Sequence, residues 1–124
     1  MRKKNPIVKL KEEIWENCRR IIRARDGFKC FTCGAKNLKG SNRQCGHMVP
    51  AHISKHLRYS LFNLYIQCGV CNVRLGGNSA IGLYKMIQIH GIEKIDAFFE
   101  DLWWNKVKVD LAFYTKMLEE LKKV

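Results

Sequence analysis

No stretch of this 124-residue chain approaches the roughly 20 consecutive apolar residues that a membrane span requires. The start is basic, from Met1 to Pro6, but Lys9, Lys11, Glu12 and Glu13 stand where a secretion signal needs an apolar stretch. With nothing pointing to secretion, six cysteines argue against a disulfide framework. A disordered or low-complexity chain is excluded by 47% hydrophobic and 27% charged residues, the balance of a globular domain. There is no internal repeat and no linker long enough to divide the chain, so one domain over residues 1–124 is expected.

The most informative absence is of acid. Between Asp26 and Glu93 there is no carboxylate, while Lys29, Lys36, Lys39, Arg43, Lys55, Arg58, Arg74 and Lys85 fall inside that window. Residues 1–60 hold 15 basic and 4 acidic residues; residues 61–124 hold 8 and 7. A basic segment without carboxylates suits a polyanion, and counterion release would give it salt-dependent affinity for nucleic acid. The alternative is a basic surface that serves solubility alone.

Four of the cysteines form two pairs of one spacing, Cys30-Phe31-Thr32-Cys33 and Cys68-Gly69-Val70-Cys71. Two Cys-x2-Cys pairs outside a secreted chain read as one tetrahedral Zn²⁺ site of four thiolates. Two redox pairs would instead want a thioredoxin-like βαβ context, which the pattern lacks. A glycine beside each pair, Gly34 and Gly69, favours the tight turn that aims both sulfurs at one ion. Cys18 and Cys45 are expected as buried thiols outside that set.

Residues 8–26 read as an amphipathic helix, with Leu10, Ile14, Cys18, Ile21 and Ile22 on one face and Asp26-Gly27 ending it. Two short runs, Gln44–Val49 and Phe62–Gln67, are expected to pair as strands, and Val70–Leu75 as a short helical stretch ending at Gly76-Gly77. Three helical stripes follow. Leu83, Tyr84 and Ile87 sit behind a cap at Asn78 or Ser79; Ile92, Ile95, Phe98, Phe99 and Leu102 come after Gly91; Val107, Leu111, Tyr114, Leu118 and Leu121 finish the chain. Phe98, Phe99, Trp103 and Trp104 exceed what one helix face buries, so part of this set is expected at a dimer surface or a base-stacking platform.

Between the cysteine pairs lie Gly46-His47 and Asn63, and Asn72 follows Cys71 directly. This order resembles the HNH nucleases, whose ββα-metal core is a hairpin and helix held by a zinc knuckle. The further pieces Leu57-Arg58-Tyr59, Asn63 to Gln67 leading into Cys68, Gly77-Asn78 and Tyr84 resemble the phage recombination protein family NinG, or Rap, from about residue 10 to about residue 120. Its lambdoid members process branched DNA, including Holliday junctions.

The resemblance implies an α+β fold: a zinc-stapled ββα-metal core over residues 28–78, between an N-terminal helix over 8–26 and a helical buttress over 79–124. It implies a metal-dependent endonuclease acting on branched recombination intermediates in phage DNA recombination. His47 would be the general base, Asn72 the ligand of catalytic Mg²⁺ or Mn²⁺, and Asn63 a support for the loop. Arg58, Arg74, Lys55, Arg43 and His52 are the candidate DNA contacts, with Arg58 and Arg74 suited to bidentate grip on phosphate. DNA is the expected partner, with a homodimer and a phage recombinase as further ones and no membrane. The expected location is the cytoplasm of a bacterial host, the protein being encoded by a phage or prophage. The rival readings are a non-catalytic zinc-finger module that grips DNA, or an HNH nuclease with a restriction or packaging role. One departure stands out: many HNH enzymes carry an aspartate before the histidine as a second metal ligand, and here that residue is Gly46. Lambdoid NinG shares this glycine.

Overall fold

The computed structural model describes residues 3–124. Its elements run in the order α1 (Pro6–Asp26), β1 (Gln44–His47), β2 (Leu64–Gln67), α2 (Ser79–His90), α3 (Ile92–Trp104) and α4 (Leu111–Lys122). A 3-10 turn precedes each strand, and one turn of π-helix, Val70–Arg74, follows β2. Among the described residues no helix is long and apolar enough to cross a membrane.

Helix α1 begins where its sequence directs: Pro6 needs no donor in the first turn, and the Asn5 side chain accepts from the N–H of Ile7 at 2.9 Å. It ends at Gly27, whose φ of 70° is left-handed. Ile14, Cys18 and Ile22, four residues apart, are fully buried against α4 and one face of the strands. Arg20 fixes this pairing by donating to the carbonyls of Leu121 (3.3 Å) and Val124 (3.1 Å) at the end of α4.

The strands are antiparallel, with Gln44 opposite Gln67, Cys45 opposite Ile66, Gly46 opposite Tyr65 and His47 opposite Leu64. All four residues of β2 are buried, and their alternation divides the core. Leu64 and Ile66 join α1 and α4 in one cluster; Tyr65 joins Met86 of α2, Ile95 and Phe98 of α3 and the loop residues Met48, Val49 and Leu57 in the other.

Several elements are shorter than their residue patterns suggest, each for a local reason. The strands stop at His47 and Leu64 because the side chain of Asn63 takes over the backbone of Val49: Oδ1 accepts from its N–H (2.8 Å) and Nδ2 donates to its carbonyl (3.0 Å). Helix α4 starts at Leu111 because Asp110 caps it, accepting from the N–H of Phe113 at 3.0 Å. Asn78 makes no capping bond; it sits at φ 48° and donates to the sulfur of Cys71 at 3.7 Å instead. Of the four aromatics near the end of α3, Phe98 is buried and Phe99 half-buried, while Trp103 and Trp104 are 71% and 82% exposed.

Gly82 of α2 is buried because the Tyr65 hydroxyl lies where a Cβ would stand. The Tyr65 ring is stacked on Phe31 at 4.5 Å and has little room to yield. Gly82→Ala is therefore expected to destabilise the protein despite the roughly 1 kcal/mol that alanine gains in a helix, because overpacking costs about 1–3 kcal/mol. A lowered urea midpoint with unchanged slope would register it.

Candidate functional site

The two Cys-x2-Cys pairs meet. The sulfurs of Cys30, Cys33, Cys68 and Cys71 all lie within 4.8 Å of one another, and those of Cys33 and Cys68 are 3.7 Å apart. Tetrahedral thiolates about 2.3 Å from zinc stand about 3.8 Å from each other, so the arrangement fits that ion. Each pair is a turn in which the second cysteine's N–H donates back to the first sulfur, Cys33 to Cys30 at 3.5 Å and Cys71 to Cys68 at 3.4 Å. Burial would raise the Cys30 thiol, but the donors around it, Cys33 N–H and the Thr32 hydroxyl among them, bring it down to about 6. Gly34 has the left-handed φ of 81° expected of such a turn. Gly69 does not: its φ is −60°, and it is small because Asn42 and Gln44 crowd it at 3.3 Å.

Cys18 and Cys45 stand apart from this set. Both are buried, and burial pushes both thiols up to about 12, so they are inert at neutral pH.

His47 closes β1 with its ring stacked on Trp15 of α1, centroids 5.5 Å apart and planes 5° from parallel. Its Nε2 lies 2.9 Å from the carbonyl oxygen of Arg58. A carbonyl only accepts, so Nε2 carries the proton and Nδ1 keeps a free lone pair. Burial, aided by the nearby Arg58 charge, outweighs that hydrogen bond and lowers the pKa of the imidazole below 6.5. The ring is thus neutral at pH 7, with one basic nitrogen. It lines an open depression of about 290 Å³ with Lys11, Glu12, Trp15, Arg58 and Tyr59. Glu12 comes from outside the carboxylate-free window and is paired with Lys4 at 2.7 Å.

Asn72 lies on the π-helical turn after Cys71, half-buried, and donates to Gln44 Oε1 at 2.8 Å. It lines a neighbouring depression with Arg19, Gln44 and Trp15, so Trp15 is common to the surroundings of His47 and Asn72. Asn63 is 1% exposed and wholly occupied in bracing the loop at Val49.

The candidate DNA contacts divide. Arg58, Arg74, Lys55 and His52 are exposed. Arg43 is not free: its guanidinium donates to the carbonyls of Gly27 (2.8 Å) and Arg23 (3.0 Å) and lies 4.0 Å above the Phe28 ring. It secures the end of α1, a role that its place in a polar loop does not reveal. His56 likewise turns inward, to the Ser54 hydroxyl at 3.1 Å and Asp101 at 3.4 Å. Trp15 escapes notice in the sequence and Gln67 figures there only within the family pattern; their importance comes from partners distant along the chain.

Residues 1–123 match the profile of the family described as bacteriophage lambda NinG protein. The chain belongs to the NinG family. It is similar to protein ninG of Salmonella phage P22, 28% identical over 108 residues that cover 82% of this chain and 52% of that relative. The chain therefore spans about half the length of the curated relative it matches. No solved structure matches it.

Two measurements follow from this geometry. Cys30→Ser or prolonged chelation should release the metal and with it the tertiary structure, since a structural zinc site supplies folding free energy directly; elemental analysis and circular dichroism together would show the loss. The His47 ring should titrate below 6.5 by NMR. Its contribution to stability should be complete above that value and decline as pH falls through it, because the unfolded chain takes up the proton first.

Proposed function

We propose that this NinG family chain is a metal-dependent endonuclease of the HNH type that cuts branched DNA such as four-way recombination junctions. The observation that carries the reading is His47: a neutral imidazole whose Nε2–H is held by a backbone carbonyl, leaving Nδ1 free at the edge of a basic surface. Such a nitrogen can take a proton from water as it attacks phosphorus, and the Arg58 carbonyl stabilises the imidazolium that results. Asn72 would hold a divalent cation together with water and phosphate oxygens. That cation supplies charge neutralisation on the phosphate and the leaving oxygen. Arg58 and Arg74 would grip the phosphate backbone, with Lys55 and His52 extending the contact. The four cysteines hold the turn bearing Asn72 against the strands and take no part in the chemistry. A two-fold dimer would place two such sites on the opposed strands of a symmetric junction.

The test is cleavage of a labelled four-way junction, a flap and a linear duplex in Mg²⁺ or Mn²⁺, with chelator as control. Wild type is expected to cut the branched substrates preferentially. His47→Ala should bind junctions with unchanged affinity and lose about 10²-fold or more in rate. If both proteins bind and neither cuts under any condition, the chain is a zinc-stabilised DNA-binding module. Equal cutting of linear duplex would remove the junction preference.

A further inference from the structure

The glycine before His47 leaves the strand without the side chain that could offer a second oxygen to a cation, and the structure shows what fills its place. Gln67, at the far end of β2 and opposite Gln44, is fully buried. Its Nε2 donates to the carbonyl of Gly77 at 2.7 Å and to the Thr32 hydroxyl at 3.0 Å. Because a carbonyl only accepts, the nitrogen end is fixed, and Oε1 points the other way with no hydrogen-bond donor among the described residues. Asn72 is oriented by the same logic. Gln44 Nε2 donates to Ser41 O at 2.8 Å, so Gln44 Oε1 accepts from Asn72 Nδ2, and Asn72 Oδ1 is turned away from that anchor.

Both uncommitted oxygens converge on one point. A Cβ built on Gly46 would overlap Gln67 Oε1 and stand 3.0 Å from Asn72 Oδ1. Two amide oxygens brought this close, that of Gln67 buried, repel unless something electropositive lies between them. Two neutral amide oxygens suit a hard divalent cation that completes its shell with water and phosphate. Asn72 also lines an open depression with Gln44 and three arginines, Arg19, Arg23 and Arg43.

We propose that Gln67 is the second protein ligand of the divalent-cation site assigned above to Asn72, its amide oxygen reaching across the strand pair into the space Gly46 leaves empty. The inference rests on that cation reading and not on the DNA substrate. Glycine at 46 and glutamine at 67 then form one unit, since a side chain at either position excludes the other.

Mn²⁺ binding to the zinc-loaded protein, followed by the electron paramagnetic resonance of free Mn²⁺, tests it without reference to cleavage. Wild type should bind Mn²⁺, and Gln67→Leu should bind it about tenfold or more weakly. Gly46→Ala, whose Cβ would take the place of Gln67 Oε1, should weaken binding likewise. Circular dichroism and zinc content check that each variant is folded; should Gln67→Leu unfold, Gly46→Ala decides alone. Unchanged Mn²⁺ affinity in the folded variants, or no Mn²⁺ binding by wild type, overturns the proposal. Junction cleavage with Mn²⁺ affinity indifferent to Gln67 would defeat this inference and leave the endonuclease reading intact. Gln67-dependent Mn²⁺ binding without cleavage would do the reverse.

Discussion

Four sulfur atoms gathered from residues 30–33 and 68–71 are the constraint on which the centre of this molecule depends. The two strands span only four residues each and cannot hold themselves together. What fixes them is attachment at both ends. Beyond Gln67 the chain enters the second cysteine turn at once, and the first turn is tied to the same strand by the Phe31 N–H donating to the Ile66 carbonyl at 2.8 Å. At the other end Asn63 pins Val49. The helices contribute apolar mass on either side, and the cysteine cluster, which could hold a metal such as zinc, lies at the junction between them.

The basic charge follows the same division. Acidic residues are confined to α1, α3, α4 and the segment before α4, leaving the strands, the cysteine turns and their connecting loop without a carboxylate of their own. Arg58, Arg74 and Lys55 are exposed there, so any polyanion would meet little opposing charge from these segments. The polar groups that the same region does offer are neutral amides held in fixed orientations, Ser41 to Gln44 to Asn72 on one side and Gly77 to Gln67 on the other.

Much of this could be read along the chain wherever the governing interaction is local. Cysteine spacing foretells the gathering of the four sulfurs because each pair closes its own turn, and the three- and four-residue recurrence of apolar positions foretells all four helices. Residues whose roles come from distant partners were opaque. Arg43 looks like a DNA contact until Gly27 and Arg23 carbonyls are seen to occupy it. Asn78 looks like a helix cap until the sulfur of Cys71 draws it away. Gln67 is one polar residue in a short strand, and only the register opposite Gln44, with Gly46 beside it, makes its amide conspicuous.

Of the four clustered sulfurs only that of Cys33 belongs to an exposed residue. With zinc bound, oxidants would reach that corner first, and a sulfenic or sulfinic acid would no longer serve as its ligand. Burial shields the other three. If zinc is held there, the cysteine cluster is thus more open to its redox surroundings at Cys33 than at its other three corners.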